Sequence, residues 1–203
     1  MVSTELVIHL DLVNHLDGKA NNCGELVKIG ILTVSDRASK GEYQDEGGPA
    51  IFDFFTEAIR SPAEVHYSCI ADDYEKIIAE LTRFADDLGC SVIVTTGGTG
   101  PAQRDVTPEA TIAVCDKILD GFGEQMRAIS LQYVPTAILS RQVGGIRGEC
   151  LIFNLPGRPK AIRETIDVIW RAVPYCVDLI GGPYIDMNEE VCDSFRPKNA
   201  RRS

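Results

Sequence analysis

A chain of 203 residues with 30 acidic and 20 basic side chains has a formal charge of −10. That is the wrong sign for unspecific nucleic-acid binding, which draws its affinity from surplus Lys and Arg facing phosphates. The length suits one domain with a full core between a sheet and covering helices, and no apolar run approaches the roughly 18 residues of a spanning helix, so neither nucleic acid nor membrane is an expected partner.

Seven cysteines, odd in number and without a CxxC pair, fit reduced thiols. The start carries Glu5 and lacks the basic residues of a secretory signal, so the expected location is cytoplasmic. His9, His15 and His66 fall at no convincing metal-ligand spacing.

In chain order, residues 1–24 form an appendage. Leu6, Val7, Ile8, Leu10, Leu12 and Val13 predict a short strand or helix, and Asp17-Gly18-Lys19-Ala20-Asn21-Asn22 a linker. Residues 25–203 then make a single domain. The near-continuous apolar run Val-Lys-Ile-Gly-Ile-Leu-Thr-Val over 27–34 suits a central strand covered on both faces, and it stops at Ser35-Asp36-Arg37. After Gly47-Gly48, the helical spacing of Ile51, Phe52, Phe54, Phe55 and Ile59 predicts a helix over 49–59. A strand over 64–70, a helix over 72–88 with Ile77, Ile78, Leu81 and Phe84 on one side, and a strand over 91–95 follow. Helices over 107–118 and 121–133, a strand over 149–153 and helices over 160–168 and 172–180 complete the series. Beyond Gly181-Gly182-Pro183 the chain is irregular, with a basic, mobile tail over 196–202. Alternation of strand and helix is the pattern of parallel βαβ units, an α/β fold.

The most telling phrase runs from Thr95 to Pro108. A β-branched strand leads through Thr96, Gly97, Gly98, Thr99 and Gly100, whose backbone turns tightly and offers bare N–H groups to an anion. Thr107-Pro108-Glu109 then reads as N-cap, first-turn proline and early acid of a helix. Neither a Walker A loop nor a GxGxxG helix start fits this spacing, and the glycines alone are also compatible with a plain tight turn.

Ligands of open parallel sheets bind outside the carboxyl ends of the strands. Four loops converge there: 35–37, 70–73, 96–105 and 154–159, the last being Asn154-Leu155-Pro156-Gly157-Arg158-Pro159. Asp36, Asp72 and Asp105 then face one cleft, an arrangement suited to magnesium, which takes one or two carboxylates and fills its octahedron with water and phosphate oxygen. Each acid has a plainer alternative. Asp72 caps the next helix, Asp105 pairs with Arg104 or caps near Thr107, and Asp36 closes a turn with Arg37. Glu124, Arg127 and Ser130 share roughly one helix face, with Arg141 following; that face either meets an anionic ligand or is merely solvated.

With these residues laid out, the chain from about Val27 to Arg202 resembles the molybdopterin adenylyltransferases of the MogA and MoaB type, a group that includes the G domains of gephyrin and its plant counterpart. The resemblance rests on Ser35-Asp36-Arg37-Ala38-Ser39, the phrase from Thr95 to Thr111, Gly121-Phe122-Gly123-Glu124-Gln125-Met126-Arg127, Ala137-Ile138-Leu139-Ser140-Arg141, and the Asn154 to Pro159 turn. It implies a three-layer α/β/α sandwich with a mostly parallel central sheet, assembled as a homotrimer. The implied reaction adenylylates molybdopterin with ATP and Mg²⁺, releases pyrophosphate, and leaves metal insertion to a separate MoeA-like enzyme. By position, Asp72 and Asp105 match the two critical acids of the family. The Gly97 to Gly100 loop, Ser130 and the Asn154 to Pro159 turn match segments lining its substrate cleft. Residues 1–24 have no counterpart in the resemblance. Two other readings stay open at this point: a CinA-like nucleotide pyrophosphatase or amidase, and a non-catalytic molybdopterin-binding scaffold.

Overall fold

A computed structural model describes residues 6–10 and 25–198; the expected linker over 17–22 and the end of the basic tail lie outside the described residues. The appended apolar patch is a strand, β1 (Leu6–Leu10). It is followed by β2 (Val27–Val34), a one-turn helix α1 (Asp36–Ser39), α2 (Gly47–Ala58), β3 (Ala63–Ile70), α3 (Tyr74–Thr82), β4 (Val92–Thr96) and α4 (Thr107–Val114). The chain continues through β5 (Lys117–Ile118), α5 (Asp120–Leu131), β6 (Gly144–Arg147), β7 (Cys150–Leu155), α6 (Pro159–Ile169) and α7 (Val173–Leu179).

One seven-stranded sheet results, in the order β1-β3-β2-β4-β7-β6-β5. The four middle strands are mutually parallel, and antiparallel partners close both edges: β1 on β3, then β6 on β7 and β5 on β6. Parallel strands buried on both faces need apolar side chains at successive positions. The sheet accordingly sends Ile29, Ile31, Val94 and Phe153 into one core and Leu32, Val34, Ile93 and Ile152 into the other. Over the first face α2, α5, α6 and α7 pack around Trp170, whose ring meets Phe55 and Phe54 at centroid distances of 4.9 and 5.7 Å. Over the second lie α3, α4 and the buried Phe84. This is the expected three-layer α/β/α sandwich with a mostly parallel sheet.

Several expected boundaries shift for identifiable reasons. The helix expected over 72–88 begins at Tyr74, capped by Asp73, whose carboxylate accepts from Lys76 N–H at 3.1 Å, and it widens into a π-helical turn over Arg83–Asp87. That turn delivers Phe84 against Gly30 of β2, where a methyl group would sit 2.4 Å from the ring. The helix expected over 107–118 stops at Val114, because residues 117–118 pair with β6 instead. The strand expected over 149–153 extends to Leu155, which draws Asn154 and Leu155 out of the expected turn and into the sheet. The tail expected to be mobile is anchored at its start: Arg196 forks onto the Asp178 carboxylate at 2.6 and 3.1 Å.

Candidate active site

Because β2, β3, β4 and β7 run parallel, their carboxyl ends deliver the loops at 35–37, 71–73, 97–106 and 156–158 to one rim. The β4 loop is built by backbone approach. Gly97 takes φ +95° and lies so close to the Val34 carbonyl that a methyl group there would meet its oxygen at 2.2 Å; Gly98 takes φ +62°. Both conformations disfavour any side chain. The far end of the loop is tied by Thr107, whose hydroxyl donates to Gly97 O at 3.0 Å and whose N–H donates to Gly98 O at 3.1 Å. Thr107 is thus the first residue of α4 and a loop clamp, not the expected N-cap; Val106 takes that place without a side-chain bond. On the β7 side, Thr96 Oγ1 donates to Pro156 O at 2.7 Å, which draws the Pro156-Gly157 turn beside Gly97.

The two acids expected to matter most flank this loop. A methyl group on Gly98 would lie 3.3 Å from Asp72 Oδ1, and one on Gly100 would lie 2.8 Å from Asp105 Oδ2. Asp72 does not cap the following helix, a place that Asp73 takes. Its Oδ2 accepts from Asp36 N–H at 2.8 Å, while Asp36 Oδ1 accepts from Asp72 N–H at 3.3 Å, a reciprocal lock between the β2 and β3 loops. Asp36 does not close a turn with Arg37 either; its Oδ2 pairs with the Arg104 guanidinium, and Arg37 lies over the Tyr43 ring. Asp105 pairs with neither Arg104 nor the α4 terminus. Its carboxylate accepts from Ala102 N–H at 3.0 Å, closing the loop on itself. Burial pushes the Asp72 carboxyl above the usual range, the neighbouring Asp36 and Asp105 carboxylates push the same way, and the Asp36 N–H and Arg104 oppose them.

Other expected site residues are placed differently. Ser35 caps α1, its Oγ accepting from Ala38 N–H at 3.3 Å. Arg141, expected to meet an anion, turns its guanidinium on the loop: Nε donates to Gly100 O at 2.8 Å, and the other nitrogens engage Asp105 O and the Glu109 carboxylate. Its own N–H holds Thr99 O at 3.0 Å, so Arg141 positions the loop. Asn154 and Leu155 are fully buried. The Asn154 amide donates to Thr95 and Thr111 hydroxyls at 3.0 and 2.9 Å and accepts from Val143 N–H at 3.3 Å. Pro159 begins α6. Glu124 is exposed and Ser130 half-buried on α5, and among the described residues no hydrogen bond or ion pair joins either to the loop.

Sequence reasoning missed Asp45. It accepts from Gly47 and Gly48 N–H at 2.9 and 3.0 Å, from Thr33 Oγ1 at 2.8 Å and from Tyr67 OH at 2.7 Å, fixing the start of α2 against β2 and β3 beneath the rim. The signal was present: an acid two and three residues ahead of bare glycine N–H groups at a helix start is a capping pattern. Gln142 was also missed; buried, it joins Ser140 to the Asn154 carbonyl at 2.7 and 3.0 Å.

A cleft opens at the opposite, amino-terminal rim of the sheet, lined by Lys28, Asp86, Cys90, Arg147 and Glu149 among others. Its cations are engaged, Lys28 with Leu88 O at 3.0 Å and Arg147 with Asp86 at 2.6 and 2.9 Å.

A family model described as a probable molybdopterin binding domain matches residues 30–175. A molybdopterin adenylyltransferase from Helicobacter pylori is 54% identical over 174 residues, covering 86% of this chain and 99% of the relative. The crystal structure of the molybdopterin biosynthesis enzyme MoaB from Thermus thermophilus superposes with a TM-score of 0.70 at 40% identity, over 78% of this chain and 99% of that one. A CinA protein from Thermoplasma acidophilum shares only the fold, with 17% identity and a TM-score of 0.51 over 72% of this chain and 97% of that one.

Proposed function

The chain belongs to the molybdopterin adenylyltransferase family, and from that membership we propose that it transfers AMP from ATP to the terminal phosphate of molybdopterin in molybdenum cofactor biosynthesis. Pyrophosphate is the other product. The observation that carries the reading to this site is the glycine loop at the carboxyl rim, with Asp72 on one flank at Gly98 and Asp105 on the other at Gly100.

The chemistry follows from charge. A phosphate oxygen of molybdopterin attacks the α-phosphorus of ATP; the new P–O bond forms as the bond to the β-phosphate oxygen breaks, and pyrophosphate leaves with that electron pair. The nucleophile is already an oxyanion at neutral pH, so no side chain has to remove its proton. Two polyanions have to meet, and the barrier to manage is their repulsion. The loop backbone is suited to lowering it, because its N–H groups, held open by Gly97 and Gly98, are fixed dipoles for charge on the transferring phosphoryl group. Thr107 and Arg141 hold the carbonyls of that loop from behind, which turns acceptors away from an incoming anion.

The donor set fits magnesium. Among the described residues no protein donor reaches Asp72 Oδ1, whose carboxyl is crowded by Asp36 and Asp105, and one or two such carboxylates with phosphate oxygens satisfy this ion. Asp72 and Asp105 would hold it, and there it would supply positive charge for the phosphate oxygens.

Assembly as a homotrimer is supported by a run of exposed apolar side chains at the end of α5 and beyond it, Leu131, Tyr133, Val134, Ile138 and Leu139. A cytoplasmic location fits the free thiols of the six described cysteines, and no helix among the described residues is long and apolar enough to cross a membrane. The adenylylated product is an activated phosphoanhydride, which suits consumption by a separate MoeA-like insertion enzyme.

Pyrophosphate release from purified protein with molybdopterin, ATP and Mg²⁺ tests the reading. Native protein turns over; Asp105→Ala loses activity on the order of a hundredfold or more while remaining folded. Tight pterin binding without pyrophosphate release returns the chain to a scaffold role.

A further inference from the structure

Arg104 takes no part in the chemistry described above, yet it reaches Asp36, the acid bonded to Asp72, and the backbone carbonyl of Asp72 itself. It stands in the glycine loop beside Asp105, with 66% of its side chain exposed. Its guanidinium ion-pairs with Asp36 Oδ2, and Nη2 also donates to the Asp72 carbonyl at 3.4 Å. One side chain on the β4 loop therefore links the β2 and β3 loops at the point where Asp36 and Asp72 exchange their backbone bonds.

We propose that Arg104 is a positioning residue that serves as the built-in counter-cation of this acid cluster, competing with the divalent cation for it until nucleotide arrives. The inference rests on the reading of Asp72 and Asp105 as the metal-facing acids. Three carboxylates share one rim, Asp36 and Asp72 each bonded to the other's backbone N–H, and their charges repel unless a cation lies nearby. In a ligand-free protein a side chain has to supply that charge. A guanidinium is well suited to do so, since it is always charged and reaches two oxygens at once. Its exposure favours displacement: an ion pair open to water is worth little and is given up easily, whereas a buried one would shut the metal out. Asp72 Oδ1 stays outside the lock, because Asp36 N–H occupies Oδ2 and Arg104 reaches the backbone carbonyl. Arg104 thus quiets the cluster without blocking the carboxylate oxygen that faces Gly98.

Manganese binding to the full-length protein without nucleotide, followed through the electron paramagnetic resonance of free Mn²⁺, tests this apart from turnover. Arg104→Gln removes the competing charge and binds Mn²⁺ about fivefold more tightly than native protein, the worth of one largely exposed ion pair. Arg104→Lys retains the charge and stays near the native affinity. Added salt narrows the gap between Arg104→Gln and native protein, as it does for any pair open to solvent. Unchanged or weaker binding by Arg104→Gln overturns the inference while leaving the metal reading intact. If Asp72→Asn binds Mn²⁺ as native protein does, in the presence and absence of Arg104, the metal reading itself falls and this inference with it.

Discussion

Asp72 is a carboxylate that the folded chain resists charging. Burial raises its pKa, and Asp36 and Asp105 add to that against the opposing pull of the Asp36 N–H and Arg104. A group whose folded-state pKa is raised adds stability only while protonated. Its contribution is full below the ordinary carboxylate value near about 4 and is lost as pH rises through the higher folded value. At neutral pH the ionised side chain therefore works against folding, and its retention makes sense as a demand of function. Asp72→Asn keeps the shape and can still accept from Asp36 N–H, so it should melt above the native protein at pH 7, by no more than about 2 °C for a chain of this size. The gain should vanish towards pH 4, and adenylyl transfer should be lost throughout. Calorimetry at both pH values checks the first part: a variant that melts lower at pH 7 would mean that Asp72 is kept as an acceptor for the loop. Native-rate turnover would remove it from the chemistry.

At the scale of elements, what separates the legible from the illegible is whether the deciding contact is local. The runs at β2 and β4 carry β-branched residues on both faces, which only a doubly covered sheet accommodates, so their sequence states their place. β6 has no such mark. Gly144-Gly145-Ile146-Arg147 has low strand propensity, and it is a strand because its bare backbone fits where side chains would not: a methyl group on Gly144 would meet Phe122 at 2.7 Å and one on Gly145 the Cys115 sulfur at 2.7 Å. Those partners lie some twenty to thirty residues away in sequence, beyond any periodicity. The candidate site divides the same way. The glycine turn, its acids and the Asp45 cap on Gly47 and Gly48 could be read from spacing, but the carbonyl contacts of Arg141 and the Thr33 and Tyr67 hydroxyls on Asp45 depend on distant segments meeting in space. Asn154 shows the cost of misplacing a strand end by two residues. Expected in a substrate-lining turn, it instead bonds β7 to β4 and α4 from inside the core. Asn154→Ala should accordingly lose about 2 kcal/mol, since it leaves the buried Thr95 hydroxyl and the half-buried Val143 N–H without their partner, while Thr111 keeps its bond to Thr107 O. Chemical denaturation should show that loss while kcat of the folded fraction stays within a few-fold of native; a kcat collapse at unchanged stability would restore Asn154 to the substrate.

For the whole molecule, exposed apolar surface supports the proposed assembly. Apolar side chains scattered singly need no explanation, but contiguous ones mark an interface. Between Leu131 and Leu139 five large apolar residues are exposed: Leu131 45%, Tyr133 56%, Val134 45%, Ile138 70% and Leu139 51%. The segment follows α5 and leads directly to Arg141, whose N–H and guanidinium hold the glycine loop. A face buried between copies would thus stiffen the strap behind the loop, which links assembly to the carboxyl rim through covalent continuity over a few residues. Ile138→Glu places a charge at the most exposed of these side chains without touching either core. Light scattering should find native protein at three times the 22.2 kDa chain mass and the variant at or near a single chain. The variant's far-ultraviolet circular dichroism should match the native spectrum, because Ile138 belongs to neither buried cluster. Turnover should fall with the assembly as the strap loosens. A trimer that survives Ile138→Glu would move the interface elsewhere, and a monomeric native protein would leave these side chains without the partner their exposure calls for.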